Sequence, residues 1–300
     1  MSTNQICNKL INSIMNRCNL KNSTKLVKNF CIWEKSYTFI AEMEISKAKI
    51  KLFSSLSTKK HRKEEKLFIV EGTKCVLDTI DYFTPYAVVA TKQWVEAHRD
   101  KVNEEVLMIA TTTQISQISS LSTASDVVAI YHLPEWELDN NQLENNLTLV
   151  LDGVQDPGNL GTIIRIADWF GIHQIIASYD TVDVFNPKTI QATMGAISRV
   201  KVIYTDLKTL IESQSNLPIY GTLLEGENIY EKSLKSPGII IMGNEGKGIT
   251  PSIRELISEG LFIPSYPGDT ETSESLNVGV ATAITIAEFR RQEMVNKNVK

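Results

Sequence analysis

Three glycine-punctuated turns carry the side chains in this 300-residue chain that are best equipped for chemistry. The first runs Leu151-Asp152-Gly153-Val154-Gln155-Asp156-Pro157-Gly158-Asn159-Leu160-Gly161 and on to Arg165. A strand ends there in an Asp-Pro-Gly turn, and a helix begins with Leu160, Ile163, Ile164 and Ala167 as its apolar stripe. Taken alone, the segment supports a plain reading: Arg165 pairs with Asp168 at i,i+3, and Asn159 is an N-cap. The second turn, Gly243-Asn244-Glu245-Gly246-Lys247-Gly248, follows the apolar run Ile239–Met242. Its three glycines suggest backbone approaching a ligand closely, and a plain tight turn is the alternative. It is no Walker A loop, because Gly248 stands where the Ser or Thr hydroxyl for magnesium belongs. It also lacks the G-x-G-x-x-G of a dinucleotide site. The third segment, Leu261-Phe262-Ile263-Pro264, leads through a polar loop to Ser273-Glu274-Ser275-Leu276-Asn277-Val278-Gly279. Ser273 or Ser275 is placed to cap a final helix, with Glu274 near its positive end. No His–Asp pair accompanies Ser275, which argues against a hydrolase nucleophile.

The elements that must hold these turns alternate between strand and helix. Candidate strands are 147–151, 174–177, 201–204, 219–223, 239–242 and 261–263, short and rich in Ile, Leu and Val. Such runs fit strands covered on both faces, and the alternation predicts a mainly parallel α/β sheet with its functional loops at the carboxyl ends. A long helix is expected from about Leu276 to Arg291. Upstream, a basic helix from Ile45, strands at 67–70, 87–90, 106–109 and 127–131, and a helix near 73–82 make a smaller α/β domain. The expected division is an extension over 1–42, a first domain over 43–132, a linker over 133–146 and a second domain over 147–300. The extension has no acid before Glu34 and holds three of the four cysteines. It reads as disordered or as sequence upstream of a start at Met43, with a transit peptide as the alternative.

Net charge is −4, which argues mildly against wholesale nucleic-acid binding. The average hides a local excess: Met43–Lys66 carries eight Lys or Arg against three Glu. Local charge decides phosphate attraction, because screening acts within roughly 8–10 Å. Lys59, Lys60, Arg62 and Lys63 are therefore expected to contact nucleic-acid phosphates. No run of about 18 apolar residues indicates a membrane span. The four cysteines (Cys7, Cys18, Cys31, Cys75) form no C-x-x-C pair or zinc spacing, and a reducing cytoplasm is the expected setting.

Taken together, D-P-G-N-L-G-x-x-x-R, I-M-G-N-E-G-K-G-I and I-P…E-S-L-N-V resemble, in order and separation, the SpoU/TrmH family of RNA ribose methyltransferases within the SPOUT superfamily. The resemblance covers roughly residues 147–292. Residues 43–132 resemble that family's smaller substrate-binding domain. It implies an α/β fold with a deep trefoil knot in the C-terminal domain, S-adenosylmethionine as methyl donor, no metal, and a homodimer whose active site draws on both subunits. By the same resemblance Arg165 sits at the ribose 2′-hydroxyl as base or positioner, and Asn159, Glu245, Ser275 and Asn277 orient it and the RNA. The donor lies on backbone groups near Leu223, Gly243, Ile263 and Leu276. Two departures stand out: the loop between Pro264 and Glu274 is longer than the family's usual form, and Gln191 stands where many members carry Arg.

A free arginine is effectively always protonated, so positioning is the easier role for Arg165. The two-domain arrangement resembles the family's ribosomal members, which implies 23S ribosomal RNA as substrate, with transfer RNA as the alternative. A nicotinamide-dependent oxidoreductase would need the missing glycine fingerprint. A non-enzymatic RNA-binding protein would keep the basic segment but has no need of Arg165, Glu245 and Asn277 together.

Overall fold

Short runs of Val, Ile and Leu, buried along their length, become the strands of two sheets in the computed structural model, which describes residues 44–214, 216–266 and 274–298. The expectations for residues 1–42 and for Ser273 lie outside the described residues. The smaller sheet is built from β1 (Leu67–Glu71), β2 (Pro85–Ala90), β3 (Leu107–Ile109) and β4 (Val127–His132), in the order β1-β4-β2-β3. β4 is antiparallel to both β1 and β2, and β3 runs parallel to β2. Ile69, Val89, Val128 and Ile130 face Phe53 and Leu56 from helix α1 (Lys47–Ser55), forming one core. Helix α2 (Lys59–Glu65) follows, and the left-handed Lys66 turns the chain into β1. Helices α3 (Thr73–Thr79), α4 (Lys92–His98) and α5 (Thr112–Ser116) complete this half.

The segment expected as a plain linker, 133–146, holds helix α6 (Asn140–Asn145), capped by Asp139. Its Leu143 is fully buried in the core of the larger sheet. One apolar residue in a polar stretch shows no periodicity, which is why the sequence conceals it. Trp136, from the same segment, packs beside Phe185, with ring centroids 5.3 Å apart. Phe185 in turn meets Phe68 of β1 at 4.7 Å, so an aromatic cluster joins the two sheets' halves.

The larger sheet has the order β10-β8-β9-β5-β6-β7, and every pairing in it is parallel. Its members are β5 (Leu147–Asp152), β6 (Gln174–Ala177), β7 (Lys201–Tyr204), β8 (Ile219–Asn228), β9 (Gly238–Gly243) and β10 (Glu259–Phe262). Between them lie α7 (Pro157–Trp169), α8 (Pro187–Thr193), α9 (Leu207–Glu212) and α10 (Pro251–Arg254), and α11 (Val278–Asn298) ends the described chain. Side-chain alternation sends Val150, Ile219, Ile239 and Ile241 to one face, against Leu207, Ile211 and Ile253. Tyr220 points the other way and meets Phe289 of α11 edge-on at 4.9 Å. Helix α7 packs against both α8 and α11. The carboxyl ends of all six strands therefore share one edge, and the three chemistry-bearing turns leave from it or return to it.

Candidate active site

Asp156, Asn159, Glu245 and Asn277 come from three distant stretches of chain and meet at this edge. Asp156 caps α7: its Oδ1 accepts from the Asn159 amide at 2.7 Å, and Pro157 fills the first turn where no amide is needed. The cap fixes the backbone of Asn159, whose side chain then spans two neighbours. Its Nδ2 donates to Glu245 Oε1 at 3.0 Å, and its Oδ1 accepts from Asn277 Nδ2 at 2.8 Å. Asn277 is oriented in turn because its Oδ1 accepts from the amides of Gly279 at 2.9 Å and Val280 at 3.3 Å. An oxygen committed to backbone donors forces the amide group of Asn277 toward Asn159, and the same logic turns the Asn159 amide toward Glu245. The result is a one-way chain of donors ending on a carboxylate.

Glu245 also accepts from the backbone amides of Gln155 and Asp156, each at 3.3 Å. Partial burial of the carboxylate opposes ionisation, but the bonds from Asn159 and from backbone amides outweigh it. They hold the Glu245 carboxyl below the usual glutamate range. The loop that carries it is locked from within. Asn244 donates from Nδ2 to the Gly153 carbonyl at 2.7 Å, and its Oδ1 accepts from the amides of Gly246 at 3.0 Å and Lys247 at 2.9 Å. Buried Asp152 accepts from the Thr250 amide at 2.6 Å where the loop returns. Asn244, Asp152 and Asp156 were not singled out for these roles in the sequence. The one available signal was the Asp-Pro dipeptide of a capped helix start.

Several expectations need correction. Asp156, not Asn159, caps α7, and Asn277, not Ser275, caps α11. Asp168 does not pair with Arg165: its carboxylate is held by Arg199, with contacts of 2.9 and 2.7 Å. Arg165 is exposed and has no ion pair or hydrogen bond among the described residues. It lies six residues beyond Asn159 on α7, roughly 9 Å along the helix axis. The chain by itself therefore does not join Arg165 to the Asn159–Glu245–Asn277 array. Ser275 is exposed beside Asn277 and likewise has no hydrogen-bond partner among the described residues.

The four donor-site candidates line the edge at β8, β9 and β10. β8 and β10 pair through Gly221↔Gly260, then resume only at Glu227↔Leu261, and pairing of β8 with β9 stops at Gly221. Residues 222–226 thus loop out of the ladder with Leu223 among them, between Gly243 at the end of β9 and Ile263 just past β10. Leu276, half exposed, precedes the Asn277 cap. Gly243 is also required by its own loop. A Cβ there would run into the backbone of Gly248 and Ile249, so its own loop folds back onto it.

The basic segment does not act as a unit. Lys59, Lys60 and Lys63 are exposed, Lys60 pairing loosely with Glu64 at 3.8 Å. Arg62 is only 2% exposed and cannot serve as a surface RNA contact. Its Nη1 caps the end of α1 through the carbonyls of Leu56 at 2.8 Å and Ser57 at 3.0 Å, and its Nη2 binds Asp183 Oδ2 at 2.6 Å. A planar fork reaches acceptors on two sides from two separate nitrogens, which the single ammonium nitrogen of a lysine cannot. Elsewhere on this half, Lys47, Ile50, Lys51, Ser54 and Gln117 line a cavity of about 390 Å³.

A family model described as the SpoU rRNA methylase family matches residues 146–287, and one described as an MRM3-like substrate binding domain matches 47–129. Among curated proteins the chain is 29% identical to the 23S rRNA (guanosine(2553)-2′-O)-methyltransferase RlmP of Bacillus subtilis, over 81% of this chain and 96% of that one. Among solved structures it is similar to a protein from Porphyromonas gingivalis described as a TrmH-family RNA methyltransferase. That similarity has a TM-score of 0.74 and 36% identity, over 83% of this chain and 99% of the other. An AdoMet-bound rRNA methyltransferase from Sinorhizobium meliloti gives 0.72 and 30%, over 83% and 96%.

Proposed function

The chain belongs to the SpoU rRNA methylase family, and we propose that it is an S-adenosylmethionine-dependent RNA methyltransferase acting on a ribose 2′-hydroxyl of 23S ribosomal RNA. The single observation that carries this reading is the directed chain Asn277–Asn159–Glu245, which joins all three family motifs at the carboxyl edge of the sheet. A non-enzymatic RNA-binding protein would have no use for it.

The residues at β8, β9 and β10 suit the methyl donor. The unpaired backbone at 222–226 offers peptide donors and acceptors beside the apolar side chains of Leu223, Ile263 and Leu276, a mixture that fits a flat purine and its sugar. When bound, S-adenosylmethionine supplies an electrophilic sulfonium methyl. Gly243 contributes by letting its loop fold tightly, which sets the position of Glu245.

On this reading Asn159, Glu245 and Asn277 form a fixed polar wall that orients the RNA, with Ser275 at its rim. Alignment of two reacting groups supplies roughly 7–11 kcal/mol of barrier lowering. Arg165, exposed and unpaired among the described residues, is available to the phosphate or hydroxyl of the target nucleotide. Its planar five-donor fork suits positioning of that hydroxyl or phosphate. Its separation from the wall along α7 supports a homodimer in which the partner copy completes the site, and a knotted C-terminal domain belongs to the same family reading. Residues 43–132 act as the RNA-binding domain and 147–300 as the methyltransferase domain, in the cytoplasm. Lys59, Lys60 and Lys63 bring RNA to the first domain. No helix among the described residues is long and apolar enough to cross a membrane.

The test uses in vitro-transcribed 23S rRNA and methyl-labelled donor. A 2′-O-methyl blocks alkaline cleavage of the next phosphodiester, so label is expected in alkali-resistant dinucleotides. Label in mononucleotides, or none in RNA, would contradict the reading.

A further inference from the structure

One aromatic side chain at the carboxyl edge has no work to do in the fold. Tyr179 follows β6 and is 69% exposed, and its ring and hydroxyl contact no aromatic or hydrogen-bond partner among the described residues. The backbone on either side of it is nevertheless held firmly. The Ser178 amide donates to the Leu151 carbonyl at 3.0 Å, and Ser178 Oγ accepts from the Gly153 amide at 2.9 Å. Thr181 bonds Ser178 Oγ at 3.0 Å and the Leu151 carbonyl at 3.3 Å. The Val182 amide reaches the Val154 carbonyl at 2.9 Å, and half-buried Tyr204 donates to the Val182 carbonyl at 2.5 Å. Residues 178–182 are therefore pinned to residues 151–154, the stretch that enters the Asn159–Glu245 wall. Asn244 grips the Gly153 carbonyl from the other side.

A large ring displayed on a rigid backbone loses little entropy when a flat partner lands on it. The neighbouring charges select the partner. Asp180 is adjacent to Tyr179 with its carboxylate packed against Gly153, and Asp156 and Glu245 lie beyond the Gly153 turn, so a phosphate would be repelled there while the face of a neutral base would not. We propose that Tyr179 is a stacking platform for an unpaired base of the RNA next to the nucleotide that receives the methyl group. It is a positioning residue that selects single-stranded RNA at the site. The inference rests on the methyltransferase reading and adds to it the conformation of the substrate.

The test measures steady-state methylation of in vitro-transcribed 23S rRNA by wild type, Tyr179→Phe, Tyr179→Trp and Tyr179→Ala, alongside melting temperature and affinity for S-adenosylmethionine. Loss of one base–aromatic stack is worth about tenfold or more in RNA affinity. Tyr179→Ala should raise KM for RNA by about that factor. Its donor affinity and melting temperature should stay at wild-type values. Phe and Trp should restore KM to within about twofold, since both keep the stack. A wild-type KM for Tyr179→Ala, or a Phe variant as poor as Ala, overturns the stacking role while leaving the methyltransferase reading intact. A wild-type enzyme that labels no RNA overturns both.

Discussion

The polar wall at the sheet edge and the basic helix α2 show opposite relations between sequence and space. Asn159, Glu245 and Asn277 are separated by 86 and 32 positions, yet their side chains bond in series. Lys59, Lys60, Arg62 and Lys63 are almost contiguous, yet one of the four is buried and spent on holding α1 and Asp183. The difference teaches that parallel strand topology gathers remote residues, because every loop at one edge ends in the same place. A helix does the reverse and distributes adjacent residues around its circumference. Chemistry is therefore expected at the wall, affinity at the exposed lysines, and stability at Arg62.

The comparison breaks first at Arg165, which is expected to depend on the wall to present RNA to it. Arg165→Ala should cut the single-turnover methylation rate by about 10²–10⁴ with saturating RNA. Donor binding should be retained, and Arg165→Lys should rescue poorly for want of the planar fork. Because Asp168 is already held by Arg199, Arg165→Ala should leave the melting temperature unchanged. Next in size is Arg62. Arg62→Ala strands Asp183 and the carbonyls ending α1, and should destabilise the fold by about 3 kcal/mol or more, read by denaturant unfolding. If instead it weakened RNA binding at full stability, α2 would be a single patch after all.

A smaller effect is expected inside the wall. Asn159→Ala removes the middle link and should lower turnover roughly 10- to 100-fold, the worth of one charge-assisted hydrogen bond. Replacing Lys59, Lys60 and Lys63 with alanine together should weaken RNA binding and reduce the salt slope by about 2–3, with turnover at saturating RNA preserved. Smallest is the acid limb. The Glu245 carboxyl is held low in the folded chain, so its contribution to stability is present above the ordinary glutamate value of about 4.3. It is lost as pH falls through the lowered folded value. The stability gap between wild type and Glu245→Gln should be flat near neutrality and shrink only below that range. A gap that instead opened on acidification would reverse the sign of the assignment.

Much of this was legible in the residues. The strand runs of the larger half are apolar enough that each appears within a residue or two of its expected position, apart from β8, which continues to Asn228 past its break with β10. That break relies on Gly226, where an added Cβ would stand only 2.6 Å from the backbone of Leu261, and a single glycine does not announce it. The three motifs named the members of the wall but not their order. Asn159 and Ser275 each look like caps in a linear text, and only the packing of α11 beside α7 makes Asn277 the cap and Asn159 the bridge. Arg62 was illegible for a similar reason. Its partner Asp183 lies 121 positions away, and the sole local hint is an arginine set among lysines.

The most direct measurement is a transcriptome-wide map of 2′-O-methyl sites in cells carrying the wild-type chain, no chain, or Arg165→Ala. The account predicts one position in 23S rRNA that is methylated with the wild-type chain and unmethylated in both other strains. An identical map in all three would contradict it, and a site lost without the chain but retained with Arg165→Ala would remove Arg165 from the reaction.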